Sequence, residues 1–176
     1  MPMSTAGNWN RPAGFTLIEI VLVLFLLGLF SALTLPMITG IGQDGLSASA
    51  RRLAGTVKYL YNESVLNQQE YRLIFHLDQE SYEVRLLKPD GELVEVKGIG
   101  ASRRLQGEAR FEDISVAGKG KFTSGEVTAV IHPQGWLPET VVHLDNGGGR
   151  KMTLRIMPFT GATEVYEGYR EFEKQQ

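Results

Sequence analysis

The chain contains no cysteine. Disulfide bonds and thiolate metal sites are thereby excluded. A domain in an oxidising compartment could use disulfides but does not need them. Net charge is almost absent too: 18 Lys and Arg stand against 20 Asp and Glu, a formal charge of −2. That balance gives no electrostatic footprint for nucleic acid, and no nucleic-acid partner is expected. Histidine is scarce. The three present, His76, His132 and His143, are not spaced as a ligand pair at i and i+4, fall on or beside predicted strands, and read as packing or surface residues. No metal or other cofactor is expected. Gly118-Lys119-Gly120-Lys121 lacks the Gly-Lys-Ser/Thr and the following helix of a phosphate loop. No Ser, His and Asp set has a spacing that argues for a nucleophile, so the chain reads as a non-enzyme.

Charge is also missing from one long stretch, and this absence is the most informative. From Phe15 to Ile38 the only charged side chain is Glu19. A helix rises about 1.5 Å per residue, and a hydrocarbon core about 30 Å thick needs roughly 20 residues. The run meets that length, and in lipid a helix satisfies its own backbone hydrogen bonds. Gly28 and Pro36 are its weak points: glycine costs about 1 kcal/mol relative to alanine, and proline removes a backbone donor. A kink or partial unwinding is expected between them. A carboxylate inside a span is costly unless paired, so Glu19 is a functional-site hypothesis, with snorkelling to the interface as the plainer alternative. The polar leader ends in Gly14. Cleavage there would make Phe15 a new N-terminus carrying an ammonium one helical turn from Glu19, and the two could pair within a chain or between neighbours.

The hexapeptide Gly14-Phe15-Thr16-Leu17-Ile18-Glu19 and the apolar run behind it resemble the N-terminus of the type IV pilin superfamily. The resemblance implies cleavage between Gly14 and Phe15 by a prepilin peptidase and N-methylation of Phe15 by the same enzyme. It also implies packing of the helix into a filament core, with Glu19 facing the Phe15 amine of an adjacent subunit. A secretory signal peptide would have a shorter apolar region of about 7–15 residues and no early carboxylate. A plain single-span anchor explains the length but neither Gly14-Phe15 nor Glu19.

The rest of the chain alternates between clear periodicities. Gly40, Gly42 and Gly45 form a loose joint. Apolar residues then recur at Leu46, Ala50, Leu53, Val57, Leu60 or Tyr61, and Ser64 or Val65, which predicts an amphipathic helix to about Gln68 lying across a sheet. Period two follows. Tyr71–Leu77, Ser81–Lys88 and Leu93–Val96 read as strands, with Pro89-Asp90-Gly91 as a turn. Residues 97–108 read as a loop, Arg103-Arg104 as a solvated pair and Gly118–Lys121 as a turn. Phe111–Val116, Val127–Ile131, Thr140–Leu144, Lys151–Ile156 and Ala162–Tyr166 are further strands. Asp145-Asn146-Gly147-Gly148-Gly149 suits a hairpin tip better than a calcium cage, which would need spaced acidic ligands. The charged tail from Glu167 is expected to fray.

The predicted class is α+β and pilin-like: a long N-terminal helix, part membrane span and part amphipathic, packed on a mostly antiparallel β domain. The expected divisions are 1–14 leader, 15–38 transmembrane helix, 39–68 amphipathic continuation, 69–166 periplasmic β domain and 167–176 tail. Val130-Ile131-His132-Pro133-Gln134-Gly135, then Leu154-Arg155-Ile156 and Thr160-Gly161, are similar to the C-terminal domain of the GspH/FimT group. That group holds minor pseudopilins of type II secretion and minor pilins of type IV pili. Many major pilins close a C-terminal disulfide loop, so by this resemblance the absence of cysteine points toward the pseudopilin or minor-pilin branch, and Thr160–Glu164 lacks the cationic character of members linked to DNA uptake. The resemblance implies a minor pseudopilin, single-pass in the inner membrane and built into a periplasmic pseudopilus near its tip. Its partners would be the prepilin peptidase, other major and minor pseudopilins and the inner-membrane secretion platform. Glu19 argues against the member that caps the extreme tip. The alternatives are a FimT/FimU-like minor pilin and an anchored periplasmic ligand-binding domain with a concave apolar pocket.

Overall fold

The computed structural model describes residues 16–39 and 45–172, which fall in two units, Met1–Gln43 and Asp44–Gln176. In the first unit, helix α1 runs over Leu17–Thr39. It is not unwound between Gly28 and Pro36, where a weak point is expected. Its described side chains, from Leu17 to Phe30, are exposed on every side, Leu17 and Ile18 by 86% and 78%. A helix that is apolar all round belongs inside a larger apolar body or a membrane. Among the described residues no helix is long and apolar enough to cross a membrane. The 23-residue sequence of α1 carries one charge, Glu19.

The second unit is built on helix α2 (Gly45–Asn67). Leu46, Ala50, Leu53, Val57 and Leu60 are at most 1% exposed, steps of three and four that place one stripe on one face. Ser49, Thr56 and Ser64 are buried beside them and hydrogen-bonded. Ser49 Oγ accepts from the Gln106 amide at 2.7 Å, Thr56 donates to the Arg52 carbonyl, and Ser64 donates to Gln69 at 2.7 Å. The helix stops at a left-handed Gln68 (φ 53°), with the Gln69 amide returning to the Ser64 carbonyl at 3.1 Å. This is a Schellman closure. At the other end Gly45 lies against the 106–107 backbone, where a Cβ would stand 2.3 Å from the Gln106 carbonyl oxygen. No larger residue fits there unless that loop moves.

Gly55 is different. It sits on the exposed face of α2, and a Cβ added there would meet nothing within 4 Å. Gly55→Ala should therefore stabilise the protein by about 0.5–1 kcal/mol through helix propensity and unfolded-state entropy. Thermal unfolding of the detergent-solubilised chain checks this. A lower melting temperature would show that the site is not the open helical position described.

Two antiparallel sheets of five strands flank the core. The first contains β1 (Glu70–His76), β2 (Ser81–Leu87), β3 (Leu93–Glu95), β4 (Arg103–Arg104) and β7 (Glu126–Ile131), in the order β3-β2-β1-β7 with β4 also on β2. The second contains β5 (Arg110–Val116), β6 (Gly120–Phe122), β8 (Thr140–Asp145), β9 (Lys151–Ile156) and β10 (Thr163–Glu167), in the order β10-β9-β8-β5-β6. Alternate residues of each sheet, among them Leu73, Phe75, Val84, Ala129, Ile131, Ile114, Val142, Leu144, Leu154 and Ile156, join the α2 stripe in one cluster. Phe75 of one sheet meets Phe111 of the other edge to face at 5.8 Å.

The α+β, pilin-like architecture expected from the sequence is present, with specific departures. The β domain divides into two sheets. Arg103 and Arg104 form a two-residue strand on β2, and Arg103 also donates to the Gly98 carbonyl at 2.9 Å. Gly120 and Lys121 belong to β6, not to a turn. The tail does not fray at Glu167, which is the last residue of β10. Gly168–Phe172 continues as a strap over the second sheet, for reasons given below.

Candidate functional site

At the start of α1, Thr16 caps the helix. Its Oγ1 accepts from the Glu19 amide at 3.3 Å, and its carbonyl accepts from the Glu19 and Ile20 amides at 3.0 and 3.3 Å. Thr-x-x-Glu is the sequence of a capping box. Glu19 thus occupies the first turn, where a carboxylate is favoured by the helix dipole. Its side chain is exposed. Gly14 and Phe15 lie outside the described residues. Gly28 is exposed on α1 with open space around it, and Pro36 lies within the helix.

A second arrangement lies on the other half of the chain and centres on Tyr61. Its hydroxyl donates toward the Gly135 carbonyl at 2.9 Å and the Phe159 carbonyl at 2.5 Å. Lys58, one turn earlier, donates to the Thr160 carbonyl at 2.8 Å. Gly161 lies directly under the Tyr61 side chain with φ 59°, and a Cβ there would stand 2.4 Å from the Tyr61 Cβ. Gln68 adds contacts to the Val65 and Pro133 carbonyls. His132 stacks on Trp136 at 4.0 Å, and its amide closes the turn on the Trp136 carbonyl at 2.9 Å. The turns at 132–136 and 157–161 are the two motifs that carried the GspH/FimT resemblance. Together they form a clamp that fixes the C-terminal half of α2 to both sheets.

The strap crosses the outer face of the second sheet. Gly168 donates to the Lys151 carbonyl at 2.8 Å, and Thr153 Oγ1 donates to Gly168 and accepts from the Arg170 amide at 2.9 Å. Beneath it, Asp113 and His143 are 3% and 2% exposed. His143 Nδ1 lies 2.6 Å from Asp113 and its Nε2 lies 2.8 Å from the Arg170 carbonyl. Tyr169 stacks on the imidazole at 3.9 Å and donates to the other Asp113 oxygen at 2.9 Å. Lys121 donates to Tyr169, and that bond first, then Asp113, raises its pKa. Burial raises the pKa of Tyr169. Asp113 and His143 have the look of a catalytic pair, but both imidazole nitrogens are engaged and none faces a nucleophile. The cluster anchors the strap, which is why residues 168–172 stay docked on the sheet.

Residues 9–35 match the family model described as "Prokaryotic N-terminal methylation motif". The structure is similar to two structures of the minor pseudopilin EpsH from the type II secretion system of Vibrio cholerae. One has a TM-score of 0.59 at 13% identity, covering 73% of this chain and 99% of that one. The other has a TM-score of 0.58 at 12% identity, covering 69% and 95%. The fold is that of a minor pseudopilin. No curated protein sequence is similar enough to count as a match.

Within this pseudopilin fold the remaining sequence candidates take simple roles. Asp145 accepts from the Gly147 amide, and Asn146 Oδ1 accepts from the Gly148 and Arg150 amides, each at 3.0 Å. These oxygens are turned onto the loop's own backbone, as a hairpin tip requires. His76 lies between Glu83 and Glu126, and His132 lies near Glu70. Among the described residues no group of three or more His, Asp or Glu could hold a metal ion. One surface depression is shallow, lined by Asp78, Glu80, Arg104 and Arg110; another lies beside the strap, where Val116, Val141 and Phe172 line it together with Lys119, Lys121 and Glu139. Sequence reasoning missed Tyr61 as the centre of the clamp, offering it only as an alternative to Leu60. It also missed the strap, although Tyr169 and Phe172 amid the charges of the tail are a signal that could have revealed it.

Proposed function

We propose that this protein is a minor pseudopilin of a type II secretion system. The observation that carries the proposal is the conjunction of an N-terminal methylation motif over residues 9–35 with a minor-pseudopilin fold in the rest of the chain. Either alone is weaker. The motif says how the chain is processed and not where it works, and a fold hosts more than one function.

On this reading a prepilin peptidase cuts between Gly14 and Phe15 and methylates the Phe15 amine. Residues 15–38 then span the inner membrane until extracted into the filament core. The fully apolar circumference of α1 suits both environments, because each surrounds the helix with hydrocarbon. The Glu19 carboxylate neutralises the Phe15 ammonium of a neighbouring subunit. Gly28 and Pro36 let the helix adjust when packed. The β domain lies in the periplasm and makes lateral contacts with other major and minor pseudopilins, near the tip of a short pseudopilus assembled on the inner-membrane secretion platform. The protein has no catalytic task of its own.

The decisive experiment is intact-mass analysis of the chain extracted from membranes, with and without a co-expressed prepilin peptidase. Loss of residues 1–14 and gain of one methyl group, only with the peptidase, is the expected result. An uncut chain in both cases would overturn the proposal. Restoration of protein export in a strain lacking its minor pseudopilins, without restoration of pili in a strain lacking its minor pilins, separates this reading from a type IV pilus role.

A further inference from the structure

We propose that the β8–β9 hairpin tip is a self-modifying site, in which Asn146 is converted to aspartate or isoaspartate by the loop's own groups. Three features of Asp145–Arg150 converge on one reaction. Gly147 supplies a backbone nitrogen with no side chain to obstruct it, and it follows directly on Asn146. The other asparagines, Asn8, Asn10, Asn62 and Asn67, are followed by Trp, Arg, Glu and Gln, whose side chains hinder the same approach. The Asp145 carboxylate accepts the hydrogen of that Gly147 nitrogen, which places a base on the proton that must leave. Asn146 Oδ1 accepts from the Gly148 and Arg150 amides, each at 3.0 Å. Two backbone donors on the side-chain carbonyl form an oxyanion hole in miniature. The Arg110 guanidinium lies beside Gly147, 2.7 Å from where a Cβ would stand, so a cation borders the tip. The tip is exposed from Gly147 to Arg150, so water reaches it.

The step balances without a cofactor. The Gly147 nitrogen attacks Asn146 Cγ and its proton passes to Asp145. The two amides hold the oxyanion. The Cγ–Nδ2 bond then breaks, and the nitrogen leaves as ammonia after taking up the proton from Asp145. A five-membered succinimide remains. Water opens it at either carbonyl to give aspartate or isoaspartate. The sum is side-chain amide plus water to carboxylate plus ammonium, the ammonia taking up the proton that the new acid releases. The product tip carries one more negative charge and, in the iso form, one more methylene in its backbone, so the subunit surface changes with age.

The test follows three samples at constant pH and temperature: the folded full chain in detergent, the same chain unfolded in urea, and folded Asp145→Asn. Peptide mapping reads the conversion at Asn146, and hydroxylamine cleavage between residues 146 and 147 reports the succinimide. A positioned base alone contributes at least a hundredfold at its best, so a rate about tenfold higher in the folded chain than in urea is expected. Asp145→Asn should remove most of that advantage in the folded chain. The urea comparison does not depend on how the variant folds. A folded-state rate equal to or below the unfolded one would overturn the proposal, because the same hydrogen bonds would then be holding the amide away from attack. So would an undiminished rate in a folded Asp145→Asn protein.

Discussion

Gly161→Ala will destabilise the β domain by about 2–5 kcal/mol, a large part of the roughly 5–15 kcal/mol that holds a domain of this size together. Two costs add. The backbone at 161 has φ 59°, which a residue with a Cβ adopts at a cost of about 1–2 kcal/mol. The new methyl would also stand 2.4 Å from the Cβ of Tyr61. That atom is fixed to the helix backbone and cannot swing aside, so overpacking adds about 1–3 kcal/mol. Gly118→Ala is the control. It has φ 79° with nothing within 4 Å, so it isolates the backbone cost. A double-mutant cycle with Tyr61→Ala separates the contact from the rest, since removing the ring beyond Cβ relieves only part of the clash and also deletes the hydroxyl's two bonds. Urea titrations of the wild type, the three single variants and the Gly161→Ala/Tyr61→Ala double variant give the numbers. Equal effects at 161 and 118 would mean that Tyr61 does not press on Gly161 and that the clamp is not what joins α2 to the sheets.

Glu19→Gln should leave cleavage at Gly14 intact and reduce incorporation into filaments by about a hundredfold or more. The substitution keeps the shape of the side chain and the Thr-x-x-Gln form of the capping box, so the start of α1 persists. What it removes is charge. In a membrane or filament core the Phe15 ammonium would then be buried without a partner, which costs about 3–5 kcal/mol, and every 1.4 kcal/mol is a tenfold change. Glu19→Lys should be worse, since it brings two cations together. Crosslinking of assembled filaments, paired with mass analysis to show that processing is normal, reads the effect. Wild-type assembly of Glu19→Gln would remove the amine pairing from the mechanism. Failure of processing itself would instead place Glu19 in peptidase recognition.

The two predictions fall on residues that differ in how legible they are. Glu19 is visible in the sequence because its environment there is one-dimensional. A lone carboxylate in an uncharged run needs no tertiary contact to be conspicuous, and neither does the small-residue junction before it. The stripe on α2 and most strands are legible for the same reason. Their burial follows a fixed period of 3.6 or 2, and Leu46, Ala50, Leu53 and Val57 keep to it. The choice between Leu60 and Tyr61 was not legible, since adjacent residues at the border of a stripe differ by only about 100° of helix rotation. The structure buries Leu60 in the core and turns Tyr61 to the clamp.

The Thr160-Gly161 and His132–Gly135 turns were recognisable as motifs, but their purpose was hidden. Tyr61 is 74 residues from Gly135 and 98 from Phe159 along the chain, and no local pattern encodes such a meeting. The same holds for the strap. A charged tail reads as frayed until Asp113, His143 and Thr153, on three neighbouring strands, are seen to offer hydrogen-bonding groups that Gly168–Arg170 takes up. The sequence by itself therefore determined the processing motif, the apolar first helix and the α+β class, because these depend on composition and on periods that repeat within a few residues. Tertiary structure alone decided the two-sheet arrangement, the Tyr61 clamp and the docked strap, because a buried polar group or a glycine under a ring takes its meaning from partners brought to it by the folded backbone.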